Sequence, residues 1–144
     1  MTFAHELQHF VQHGNVRKLW AANNLIGKLR KRLNHSLGLR QFDIPTEREA
    51  RIVSKQTAEG MFGVEHVSQF IESKIADAVD ENDRDDWQFI QSIVIPTSYD
   101  LASETRLIFQ WLMPYRGDFE NLLKESRDDP DFNDIDFDEL FNGA

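Results

Sequence analysis

A chain of 144 residues with 40% hydrophobic and 28% charged residues, eleven Phe and three Trp fits one folded domain with a modest core; it is neither disordered throughout nor fibrous. The absence of cysteine excludes disulfides and thiolate metal sites, leaving His, Asp and Glu as the strong protein ligands. No apolar run reaches the eighteen or so residues of a membrane span, and the N-terminus lacks a signal-peptide pattern, so the expected setting is soluble and cytoplasmic.

The net charge of -9 is unevenly spread. Residues 1–63 carry ten Lys/Arg against five Asp/Glu, and residues 64–144 carry six against twenty. The two halves therefore face different electrostatic partners, each other included.

In chain order the periodicity predicts a mainly α chain without internal repeats. A first helix over Phe3–Gln12 is expected to stop at His13-Gly14-Asn15, with Gly14 as a left-handed cap. A second, from Val16 to Asn34, carries Leu19, Trp20, Leu25, Ile26, Leu29 and Leu33 at core spacing and Lys28, Arg30, Lys31 and Arg32 outward. Gly38 and Pro45 bracket a connection, and Thr46-Glu47-Arg48-Glu49 reads as a capping box opening a third helix that runs to about Glu59 or Gly60. A fourth helix is expected over Val64–Val79. Asp80 to Asp86 then breaks the pattern and caps a short Trp87–Val94 segment, ended by Pro96. The stretch Leu101–Met113 is apolar nearly all round and is placed centrally, with Trp20, Trp87 and Trp111 assigned to packing. Pro114 and Gly117 precede a last turn or two through Phe119, Leu122 and Leu123. From Arg127 on, seven acids and one base alternate with Phe132, Ile135, Phe137, Leu140 and Phe141. The division is thus a helical domain over 1–126 and an acidic tail over 127–144, mobile when alone and able to form a helix when docked.

The chemistry-bearing motif is His5-Glu6-Leu7-Gln8-His9. Residues i and i+4 share one helical face about 6 Å apart in rise, so the two imidazoles can aim at one point. Glu6 leaves the same turn rotated by about 100°, near such a centre without being a ligand. A catalytic zinc takes three protein ligands and keeps one position open. His13 stands about 12 Å along the axis from His5, too far for both to lie about 2 Å from one ion. His35 and His66 sit where nothing else suggests convergence. Glu47 is the stronger candidate, because Ala50 one turn later is small enough to let its helix approach the His5/His9 helix. Glu49 competes, although a capping role already accounts for it.

H-E-L-Q-H-F followed by E-R-E-A resembles the zincin-type metallopeptidases of the glutamate-ligand branch, over roughly residues 2–55. The resemblance implies a zinc cofactor held by His5, His9 and Glu47. It also implies that Glu6 is the general base for hydrolysis of a peptide or protein substrate. The chain departs from that pattern in having no room for strands upstream of the motif, and in carrying Arg51 where many relatives have Asp or Asn. The expected fold is therefore a small helical zincin-like core without the usual strands.

A reading of another class is a non-catalytic adaptor or inhibitor whose acidic, aromatic tail docks a basic partner protein. The tail can equally lie over Lys28, Arg30, Lys31 and Arg32 of its own chain, a contact that salt weakens. Nucleic-acid binding is not expected, since no stacking platform accompanies the basic helix. No glycine-rich phosphate loop or Ser/His/Asp pattern is present.

Overall fold

The structure, a computed structural model, describes residues 2–33, 36–95, 98–126 and 128–142. Among these, eight α-helices occur and no strand: α1 (Thr2–Asn15), α2 (Arg17–Arg32), α3 (Pro45–Phe62), α4 (Val64–Ala76), α5 (Glu81–Ser92), α6 (Leu101–Trp111), α7 (Arg116–Glu125) and α8 (Phe137–Asn142). Single 3₁₀ turns at Gln41–Asp43, Met113–Tyr115 and Pro130–Phe132 tighten the connections. No described helix is long and apolar enough to cross a membrane.

The apolar residues separate into two clusters joined by α3. The larger gathers Ala21, Ala22, Leu25, Ile26 and Leu29 of α2 with Phe109, Leu112, Phe119 and Leu122, and is closed by Leu37, Leu39 and Ile44 of the α2–α3 connection. The smaller holds Ala58, Val67, Ile71 and Ile90, with Trp87 and Phe89 against it, where the end of α3 meets the α4–α5 hairpin. The N-terminal half of α3 faces α1 and its later turns face α4 and α5. A displaced α3 would therefore disturb both clusters.

Several boundaries differ from the sequence expectation, each for a physical reason. Gly14 is not a left-handed cap: α1 runs through it to Asn15, and Val16 N–H still reaches Gln12 O at 2.9 Å. The positive-φ cap falls instead on Gly63 (φ 86°), which ends α3 two to three residues later than expected and turns the chain into α4. The capping box at Thr46 does not form. Ile44 is the N-cap and Pro45 the first helical residue, while Thr46 N–H donates to Asn23 Oδ1 of α2 at 3.4 Å. A tertiary partner has replaced the local cap.

The acidic run 80–86 begins α5 rather than merely preceding it. Asp80 accepts from Asp83 N–H at 2.8 Å, and Glu81 and Asp83 lie in the first turn, where the helix dipole favours negative charge. At the other end the largely buried Lys55 donates to the carbonyls of Ile90 (2.8 Å), Gln91 (3.1 Å) and Ile93, acceptors at the helix terminus. Pro96 lies outside the described residues.

α6 is less central than its composition suggests. Leu101, Thr105 and Phe109 face inward, but Leu107 and Trp111 are exposed, Trp111 by 60%. Trp111 therefore does not pack as expected. The acidic C-terminal segment supplies apolar surface instead: Phe132, Leu140 and Phe141 are buried in the larger cluster, and Phe141 stands 5.4 Å edge-on to Phe109 and 5.9 Å from Phe119. Its acids cap the short turns, Asp129 accepting from Asp131 N–H and Asp136 from Asp138 N–H, both at 3.0 Å. Asp131 also pairs with Arg17 and His13, and Lys28 sits 4.8 Å over the Phe132 ring. The segment thus docks on its own basic helix, and Phe132, Leu140 and Phe141 take part in the core.

Phe141→Ala should accordingly lower the unfolding free energy by about 3 kcal/mol or more in urea denaturation, as for other buried aromatics. A midpoint unchanged from wild type would mean that the acidic segment is not part of the core.

Candidate metal centre

The centre is built on the register between α1 and α3. His5, Gln8, His9 and Gln12 recur at three- and four-residue spacing and form one stripe along α1. That stripe lies on the first two turns of α3, where Ala50 is fully buried and its methyl group permits close approach.

Gln12, 1% exposed, fixes the alignment: its amide nitrogen donates to Thr46 O at 3.1 Å and to Glu49 Oε1 at 2.9 Å. Gln8 donates to the same Glu49 oxygen at 2.9 Å. With the Gln12 nitrogen committed to two acceptors, its carbonyl oxygen faces His9 and accepts from Nδ1–H at 2.8 Å. The consequence is a defined tautomer: when neutral, the His9 ring carries its proton on Nδ1 and presents a bare Nε2.

That Nε2 lies 3.0 Å from Nε2 of His5 and 3.2 Å from Glu47 Oε1, and the His5 nitrogen lies 3.2 Å from Glu47 Oε2. One ligand atom from each of the three residues falls within 4.8 Å of the others. Ligand atoms placed about 2.0–2.1 Å from a tetrahedral zinc are about 3.3 Å apart, so the spacing suits such an ion. The donor set suits it too: two imidazole nitrogens and a carboxylate oxygen are the donor types that a three-ligand zinc site uses, with one position to spare. All three groups are about one-fifth exposed, buried enough to strengthen the electrostatics and open enough to admit a ligand.

Two imidazole nitrogens and a carboxylate directed at one point favour a proton or a metal cation among them. The same arrangement shifts the ionisation of its members in opposite directions. Burial alone would raise the Glu47 pKa, but hydrogen bonds from His5 and His9 and the Arg51 charge outweigh it and hold the carboxyl far below its usual range. The hydrogen bond to Glu47 raises His9, against burial, with Gln12 and the nearby Glu6 charge adding to it.

Of the residues considered from sequence, His5, His9 and Glu47 come together. Glu49 does not join them; it is turned toward Gln8 and Gln12 and ties the helices together. Glu6 is exposed, next to His5 in sequence and close enough to His9 to act on its charge. His13 pairs with Asp131 at 3.3 Å and stands edge-on to Trp20, and His66 is exposed on α4; His35 lies outside the described residues.

Two supporting residues were not identified from the sequence. Buried Arg51 donates to Glu47 Oε2 at 2.9 Å and to Glu47 O at 3.2 Å, and Asp86 of α5 accepts from Arg51 Nε at 2.6 Å. The i,i+4 spacing of Glu47 and Arg51 was a readable signal. Asp86 had none, since its approach depends on how α5 packs on α3.

In metal-free protein the two shifts define a pH window. Glu47, with its pKa depressed, contributes stability above about pH 4.3 that is lost as pH falls toward its folded value. His9, with its pKa raised, contributes stability that is full below about pH 6.5 and lost as pH rises through its folded value. The stability difference between wild type and Glu47→Gln, measured by urea unfolding in chelator, should therefore peak between about pH 4.3 and 6.5. A difference that keeps growing toward pH 8 would contradict the His9–Glu47 coupling. No family model, curated protein or solved structure matches the chain.

Proposed function

We propose that the chain holds one zinc ion through His5, His9 and Glu47 and that this centre serves hydrolysis of peptide bonds. The convergence of the three ligand atoms on one point, from two helices separated by some forty residues, carries the reading. Its chemical class follows from the resemblance of H-E-x-x-H with E-x-x-A to the glutamate-ligand zincins. Zinc there would supply a Lewis acid that polarises a carbonyl oxygen and acidifies water.

The chain's own residues have separable tasks. Glu6, solvent-facing and one residue from His5, takes the proton of the attacking water and returns it to the departing amine nitrogen. Gln12 holds His9 in the Nδ1–H tautomer, which keeps Nε2 available as a ligand. Arg51, itself held by Asp86, fixes the Glu47 carboxylate through one oxygen. Arg51 therefore acts as a positioning residue where relatives of the resembled type often carry Asp or Asn.

Purified protein incubated with zinc and desalted should retain about one equivalent, and His9→Ala should abolish retention. Glu6→Gln should keep the metal and lose at least about a hundredfold in cleavage of a quenched fluorescent peptide mixture. Wild type that retains no zinc would sink the metal centre. Loss of metal and cleavage together in Glu6→Gln would make Glu6 a structural residue.

A further inference from the structure

Glu47 of the centre lines a cleft of about 450 Å³ whose walls also include Asn24, Lys28, Arg30 and Lys31 of α2 and Thr46 of α3. We infer that this cleft binds a carboxylate of the substrate, so that the centre, on the zinc-peptidase reading above, acts on acidic peptides. The carboxylate is either an Asp/Glu side chain or a peptide C-terminus.

Arg17, Arg32, Arg40, Arg48, Arg51 and Arg116 each pair with a carboxylate of the chain. Lys28, Arg30 and Lys31 have no carboxylate among the described residues within ion-pair distance. Lys28 Nζ donates to Ser126 Oγ at 3.2 Å, and Arg30 Nε donates to Leu39 O at 2.9 Å. Those neutral acceptors orient the side chains without cancelling their charge. In a chain of net charge -9, three unneutralised cations on one wall of a cavity form a local field of opposite sign.

Helix-end cations are ordinary on dipole grounds, and Arg30, Lys31 and Arg32 are the last turn of α2. The cleft that they share with Glu47 is what sets this group apart. Glu47, which lines the same cleft, does not oppose an incoming anion at full strength, because His5, His9 and Arg51 already engage its oxygens. The fold also creates a need for such an anchor. Among the described residues no strand is available to hold an extended peptide by strand addition, so its orientation must come from side-chain contacts.

The test is an NMR titration of the ¹⁵N-labelled full chain carrying Glu6→Gln, with three peptides of equal length. One is neutral and C-terminally amidated, one has a single Glu added, and one has a free C-terminal carboxylate. At least one carboxylate peptide should bind about tenfold tighter than the neutral one, shifting amides in 23–31 and 41–47, and the advantage should shrink as salt rises from about 0.05 to 0.3 M. Whichever peptide gains identifies the source of the carboxylate.

The double variant Lys28→Gln/Lys31→Gln, altered at two exposed positions, should lose the preference while keeping its zinc content and circular dichroism. Equal binding of all three peptides, or a preference that survives in the double variant, overturns the inference. Each titration is repeated in chelator. Failure to hold zinc defeats the metal reading alone, whereas the carboxylate preference in chelator reports on the cleft by itself.

Discussion

The buried amide of Gln12 is the contact on which the geometry of this protein depends. It satisfies a backbone carbonyl of α3, a carboxylate of α3 and the imidazole of its own helix at once, so α1 has one register on α3 in which every polar atom is paired. A slip of one helical turn would strand the buried amide and part it from Glu49, at the cost of an unsatisfied buried group. Ala50 makes the close approach sterically possible, and the hydrogen bonds of Gln12 select the register. His5 and His9 then reach Glu47 because Gln12 has already been placed.

Around that contact the charges are layered. Asp86 holds Arg51, Arg51 holds Glu47, and Glu47 faces the two histidines, so alternating signs lead from α5 to the centre. Such an arrangement limits the freedom of the carboxylate before any ion arrives, which lowers the ordering cost of binding. It also links the smaller apolar cluster to the site, since Asp86 stands on the helix that packs there. The Lys55 ammonium, donating to the carbonyls that end α5, pins the same helix from its other end.

The acidic C-terminal segment shows how composition can mislead about role. Seven acids among eighteen residues read as a solvated tail, yet the acids lie at cap positions and in contact with basic α2, while the interleaved Phe132, Leu140 and Phe141 fill a core that α2, α6 and α7 leave open. Aromatic spacing in so short a segment carries no information about what lies opposite it. The exposed Trp111 is the complementary case: α6 offers apolar residues on several faces, and the surrounding helices cover only one of them.

The sequence by itself determined the helical character of the chain, most helix positions to within a turn, the two histidines on one face, and Glu47 as the favoured third partner. These are local properties, set by a 3.6-residue period and by which side chains can act as ligands. Tertiary structure decided what lay between distant residues. Asn23 of α2 accepts the Thr46 N–H in place of a capping box, Glu49 ties the helices instead of competing for the centre, and Asp86 arrives behind Arg51. Each of those outcomes turns on the angle and register at which helices meet, and these are fixed by the packing of the whole core and by the pairing of every buried polar group, which no short stretch of chain encodes alone.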